Sequence, residues 1–216
     1  MSRRSGRVSG IVYRSKKVSL DPPVLASLER RKGATLDTFS QPVVQAGYSG
    51  IRRSLDSLLA AGFLGRLFLA SLPSDGPNES AFLALCDIFE SLNRGLDARI
   101  AGLWGQQKLL GCLGLAPQLH ACVECEEEKV VGFSALEGGV LCAGCLGQNE
   151  AIRLSGPELS LAKVLSVIPL QGLSEDLLDP EGVRLAGRIY KAQFQVHLEL
   201  SSDYFKRVLP RRGEKQ

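Results

Sequence analysis

Apolar and polar positions change their rhythm once along this chain, near residue 50. Before that point, residues 8–13, 24–28 and 34–39 form short apolar or alternating runs. Pro22-Pro23 and the basic turn Arg30-Arg31-Lys32-Gly33 interrupt them. Alternation suits strands, so the pattern predicts two or three antiparallel strands. Three strands cannot close a barrel. Their apolar face needs a helix or a partner.

From Ile51 the spacing becomes helical. Ile51, Leu55, Leu58, Leu59, Leu64, Leu67 and Phe68 define one stripe, with Gly62 and Gly65 inside it. An internal glycine costs about 1 kcal/mol against alanine, so both glycines suggest close packing. Residues 73–77, rich in proline, end this helix. Asn78 is placed to cap a second, carrying Phe82, Leu85, Ile88, Phe89 and Leu92, and Asn93-Arg94-Gly95 breaks it. A third helix is predicted from about Asp97 through Leu113, with Trp104 in its core. Ser155, Pro157 and Glu158 read as a capping box with proline in the first turn, opening a fourth helix that Pro169 stops. Asp179 and Pro180 open the last, with Leu185, Ile189 and Phe194 on its apolar face.

Composition narrows the class. Across 216 residues, 44% are hydrophobic and 23% charged, which excludes a wholly disordered polyelectrolyte. No apolar run reaches the ~20 residues of a membrane helix, and no secretory signal opens the chain, so a soluble, intracellular protein without a membrane role is expected. The net charge of +3 is unevenly spread. Residues 1–35 carry nine Lys/Arg against Asp21 and Glu29, a balance of +7. Residues 206–216 carry +4, leaving −8 in the body. Basic ends attract phosphate backbones, although solvated basic tails are common.

The sharpest chemistry lies in the cysteines. Cys122-Val-Glu-Cys125 and Cys142-Ala-Gly-Cys145 stand sixteen residues apart. Each two-residue gap lets one tight turn aim two sulfurs at one ion, which is the spacing of a tetrahedral thiolate zinc site. Other readings are unliganded core thiols, a redox pair and an iron–sulfur centre. Gly144 falls inside the second knuckle, where a left-handed residue is expected. Residues 130–134 and 138–141 read as a small hairpin between the knuckles. Four thiolates would fill the coordination sphere, so such a metal is structural. Cys86 and Cys112 lie on helical apolar stripes and are expected in the core. His120 is a fifth candidate ligand or a surface residue, His197 is expected to be structural, and Glu126-Glu-Glu128 reads as a solvated loop. There is no GxGxxG, phosphate loop or nucleophile elbow, so an enzyme is not expected.

The segment Leu109-Leu-Gly-Cys-Leu-Gly-Leu-Ala-Pro-Gln-Leu-His-Ala-Cys-Val-Glu-Cys125, followed by Phe133-Ser-Ala-Leu-Glu-Gly-Gly-Val-Leu-Cys-Ala-Gly-Cys145, resembles the bacterial recombination mediator family RecO. The flanking helices and the closing Ser201-x-x-Tyr-Phe205 agree, so the resemblance covers roughly residues 5–209. It implies an N-terminal OB-fold barrel, a helical domain and a zinc finger set into the helices. It further implies binding to single- and double-stranded DNA, strand annealing, and help for RecA in replacing single-strand-binding protein, together with a RecR-like partner.

Carried over to this chain, the zinc ligands are Cys122, Cys125, Cys142 and Cys145. The DNA contacts are Arg3, Arg4, Arg7, Arg14, Lys16, Lys17, Arg30, Arg31 and Lys32. The family's barrel takes more residues before the first helix than are present here, so the β segment corresponds to the barrel's second half, from a shortened gene or a truncated start. The fold expected is therefore mainly α. It has a partial OB-type β segment over residues 1–48, a helical domain over 49–216, and an inserted four-Cys zinc finger over 119–148. The function implied is a cytoplasmic, nucleoid-associated DNA repair and recombination mediator. The alternative is a zinc-containing protein-interaction module with weak or no DNA binding.

Overall fold

The structure is a computed structural model that describes residues 1–3, 10–12, 22–34, 36–73, 76–147, 151–154 and 159–200. The expected contacts Arg4, Arg7, Arg14, Lys16 and Lys17, the Ser155 cap and the closing 201–205 motif lie outside the described residues. The chain divides into two compact units, Met1–Gly95 and Leu96–Gln216.

The first unit opens with three strands, β1 (Gly10–Val12), β2 (Leu25–Arg31) and β3 (Asp37–Ala46). Their order is β1-β3-β2. β2 and β3 are an antiparallel hairpin, as alternation predicts, but β1 runs parallel to β3. A parallel neighbour leaves no tight turn in the sequence to announce it. β3 also continues well past Phe39. Between the pairs Ser27↔Val43 and Glu29↔Ser40 the register shifts, which leaves Gln41 and Pro42 opposite Leu28. Gln41 has φ +50 there, and a bulge lets proline sit in a strand without a missing ladder bond.

Ile51 belongs to a separate 3-10 turn, Ile51–Arg53, after which Ser54 restarts the chain as α1 (Leu55–Ser71). The Ser54 side chain accepts from the Ser57 N–H. This restart rotates the helix relative to the stripe read from sequence. Phe63, Leu64, Leu67 and Phe68 are fully buried, whereas Leu55 is 69% exposed and Leu58 also faces solvent. Neither internal glycine is crowded: a Cβ on Gly62 would touch nothing, and one on Gly65 would meet only Phe89 at 3.9 Å. α2 (Glu79–Asn93) begins as expected, with Asn78 Oδ1 accepting from Ala81 N at 2.9 Å. The link from β3 into the helices is tight. Tyr48 packs edge-on against Phe89 with ring centres 5.7 Å apart. Gly50 N donates to Asn93 Oδ1 at 2.7 Å.

The second unit is built round α3 (Ala98–Cys112), capped by Asp97. Residues Ile100 through Gln107 are all buried, so this helix is enclosed on every side. Trp104 is core, as predicted, and its Nε1 donates to the Ile168 carbonyl at 3.2 Å. α4 (Leu159–Val167) and α5 (Pro180–Leu198) pack on α3 and on each other. Asp179 caps α5 through Gly182 N at 2.7 Å. Between α3 and α4 lies a second small sheet, β4 (Val130–Ser134), β5 (Gly139–Cys142) and β6 (Ile152–Arg153), in the order β5-β4-β6. The β4–β5 hairpin was legible in the sequence; two-residue β6 was not. No helix among the described residues is long and apolar enough to cross a membrane.

Candidate metal centre and nucleic-acid interface

The four knuckle cysteines converge. Their sulfurs all lie within 4.8 Å of one another. Cys125 Sγ is 3.6 Å from both Cys142 Sγ and Cys145 Sγ. A tetrahedral ion with metal–sulfur bonds of about 2.3 Å needs sulfurs about 3.8 Å apart, a separation that the two 3.6 Å distances approach, so the set could hold a metal ion such as zinc. Among the described residues it is the one cluster of metal-ligating side chains; His120 is exposed and outside it. Cys86 and Cys112 are half-buried rather than core residues, because each sits at the margin of its helix's apolar face.

Local backbone geometry builds the cluster. In each knuckle the residue after the second cysteine donates to the carbonyl of the first: Glu126 N to Cys122 O at 2.9 Å, and Leu146 N to Cys142 O at 3.0 Å. The left-handed residues are Glu126 (φ +64) and Gly147 (φ +53), not Gly144. Each knuckle turns through residues 123–125 and 143–145, and the left-handed residue follows that turn. A Cβ on Gly144 would meet only Cys142 Sγ, at an ordinary 3.8 Å.

One strand carries both knuckles. β5 ends on Cys142 itself. Along its other edge runs the segment leading into the first knuckle, with Gln118 N donating to Gly138 O, Val140 N to Gln118 O and Val123 N to Val140 O, each at 3.0 Å. Gly139 is what permits this approach. A Cβ there would lie 2.4 Å from Val123 Cγ1 and 2.7 Å from the Gln118 carbonyl oxygen. Leu141 packs with Cys122 and Cys142, and Val123 and Leu146 close over them.

The thiols respond to this crowding in opposite ways. Backbone N–H groups of Cys142, Glu124 and Cys125 hold Cys122 down to about 6. Cys145, hydrogen-bonded to Cys125 and Cys142 and close to the Cys122 charge, is pushed up to about 12. Four sulfurs cannot all be anionic at this separation unless a cation lies among them. The set thus suits a divalent ion in a closed, structural coordination sphere. Beside it, Glu124, Glu126, Glu127 and Glu128 are all exposed, as expected of a solvated loop.

The basic candidates are less uniform. Arg3 pairs with Glu79, its Nε 2.7 Å from Oε1. Arg30 Nε lies 2.6 Å from Asp37 Oδ2. Burial raises the Asp37 carboxyl, but Arg30 and the Gly33 N–H more than offset this and hold it below its ordinary value. Arg31 and Lys32 are exposed at the β2 end of the turn. Of the four candidates within the described residues, two therefore already face a carboxylate. Those ion pairs depend on tertiary approach across 76 residues and across the hairpin, and residue spacing does not reveal them.

A family profile described as "Recombination protein O C terminal" matches residues 52–203. Several curated relatives carry the name "DNA repair protein RecO". The one from Pelotomaculum thermopropionicum is 28% identical over 178 residues, 78% of this chain and 69% of the relative. That from Symbiobacterium thermophilum is 32% identical over 176 residues, 73% of this chain and 62% of the relative. That from Desulforamulus reducens is 29% identical over 140 residues, 63% of this chain and 54% of the relative. In these alignments the chain spans between about half and about two thirds of its relatives' length.

Proposed function

Because this chain belongs to the RecO family, we propose that it is a DNA repair and homologous recombination mediator, one that binds and anneals single-stranded DNA and assists recombinase loading. The observation that carries the reading is the profile match over residues 52–203, which includes all four converging cysteines. On this reading the protein is a binder and not an enzyme, and works in the bacterial cytoplasm at the nucleoid. Its partners are single- and double-stranded DNA, a RecR-like protein, single-strand-binding protein and, indirectly, RecA. The β1-β3-β2 sheet is part of an OB-type barrel. Arg31 and Lys32, with the basic residues preceding β2, meet the phosphates.

Cys122, Cys125, Cys142 and Cys145 hold one zinc ion, which supplies a fixed cross-link between the knuckles and no reactive position. The protein's own contribution is the β5 scaffold that presents both pairs of sulfurs. Titration of fluorescent single-stranded DNA at several salt concentrations tests the electrostatic part. For single strands the logarithm of affinity falls with the logarithm of salt by about 0.7 per phosphate neutralised. Affinity that ignores salt removes the basic segment from the mechanism.

A second reading is favoured by the ion pairs Arg3–Glu79 and Arg30–Asp37. Cations already facing carboxylates compete poorly for phosphate. On that reading the helical units and the finger engage a RecR-like protein or the tail of single-strand-binding protein, and DNA contact is weak. A pull-down of such partners with and without residues 1–50 separates the two readings.

A further inference from the structure

His197, in the last turn of α5, touches the finger. Its Nε2 lies 2.9 Å from the Ala135 carbonyl oxygen, across 62 residues of chain. A carbonyl can only accept, so Nε2 carries the proton and donates. Ala135 is the first residue after β4 and opens the turn into β5. Within that turn Glu137 N donates to Ser134 Oγ at 3.3 Å and Gly138 takes φ +75, while the Gly138 carbonyl accepts from Gln118 N at 3.0 Å. The His197 bond ties the turn to α5.

The body of the helix that carries His197 is firmly seated, as far as Phe194. Leu185, Ala186, Ile189, Tyr190 and Phe194 of α5 are at most 1% exposed. The other end of the hairpin is the metal centre. β5 is four residues long, Gly139–Cys142, so about 13 Å at about 3.3 Å per residue separate the tethered turn from the second knuckle. All four of its residues are buried, and it also holds the first knuckle through Gln118 and Val123. A displacement of the turn along β5 would carry Cys142 directly. It would also carry Cys122 through the Val123–Val140 bond.

From this geometry we infer that His197 is a positioning residue for the four-thiol centre: it anchors the β4–β5 turn to α5 and so holds the register in which the two cysteine pairs meet. The inference rests on the zinc reading above. It predicts that the metal is retained kinetically by a residue that never touches it.

The test uses the full chain loaded with zinc, and a chromophoric chelator in excess to read the rate of zinc release. His197→Leu removes the donor and keeps bulk; His197→Gln keeps an N–H donor on a flexible stem. Expected are release at least fivefold faster in His197→Leu and an intermediate rate in His197→Gln, with helical circular dichroism unchanged in both. Should His197→Leu fail to fold, His197→Ala against His197→Gln carries the comparison. Equal release from the wild type and both variants overturns the proposal while leaving the zinc reading intact. Equal acceleration in both variants also overturns it, since the donor would then be irrelevant. A wild-type chain that takes up no zinc overturns both.

Discussion

Cys142→Ala removes one of the two buried sulfurs of the cluster, the one 3.6 Å from Cys125. Structural zinc sites contribute about 10–16 kcal/mol of apparent binding free energy at neutral pH, and that energy is coupled to folding. Shared over four equivalent thiolates, one ligand accounts for about 3 kcal/mol. In a chain of this length 1 kcal/mol moves Tm by about 2–4 °C, so the transition that includes the finger should fall by about 6–12 °C. The loss has little to offset it. β5 ends at this residue, and Leu141 and Cys122 pack on it, so the side chain cannot be replaced by a neighbour. Scanning calorimetry gives Tm, and chelator titration of the denatured protein gives zinc per chain. Cys86→Ala is the control: half-buried and outside the cluster, it should keep its zinc and lose about 1 kcal/mol. If Cys142→Ala retains one zinc per chain and melts within 2 °C of wild type, these sulfurs are not a folding cross-link and the reasoning fails.

Asp37→Asn should release Arg30 from its carboxylate; if the basic turn meets DNA, single-strand affinity at low salt rises severalfold and the salt slope steepens by about 0.7, and an unchanged slope removes Arg30 from the interface. Gly50→Ala would place a Cβ 2.2 Å from the Asn93 carbonyl oxygen, and the backbone cannot yield cheaply, so the urea midpoint should drop by the equivalent of about 2–3 kcal/mol. Gly62→Ala, exposed within α1 and free of contacts, should instead stabilise by about 0.5–1 kcal/mol in the same assay. Acidification should release zinc. Protons compete with the ion for all four thiolates, so binding weakens as pH falls. Metal content measured between pH 8 and pH 5 should therefore fall toward the lower end.

Local chemistry was the part of this protein open to reading in one dimension. Asn78 and Asp179 cap α2 and α5 because a short polar side chain before an apolar period satisfies orphan N–H groups whatever lies around it. The paired Cys-x-x-Cys spacings declared a four-sulfur site for the same reason, since each knuckle is a local turn. What escaped was everything set by approach between distant segments. The phase of α1 depended on a restart at Ser54, so Leu55 and Leu58 turned to solvent. The parallel β1–β3 pairing left no turn to betray it. Gly62, Gly65 and Gly144 drew attention by composition, while the glycine that the fold requires at the metal site is Gly139, where another strand passes.

Charge shows the divide most plainly. Sequence alone places Arg3 and Arg30 among the basic residues that attract phosphate; only folding brings Glu79 and Asp37 against them. Likewise His197 is an unremarkable residue in a helix until α5 brings it to the Ala135 carbonyl. Backbone caps and cysteine turns act over three or four residues, a range the sequence spells out directly. Ion pairs, strand order and the tether on the finger act through space, and their partners are chosen by the packing of helices around α3 and of strands beside β3 and β5.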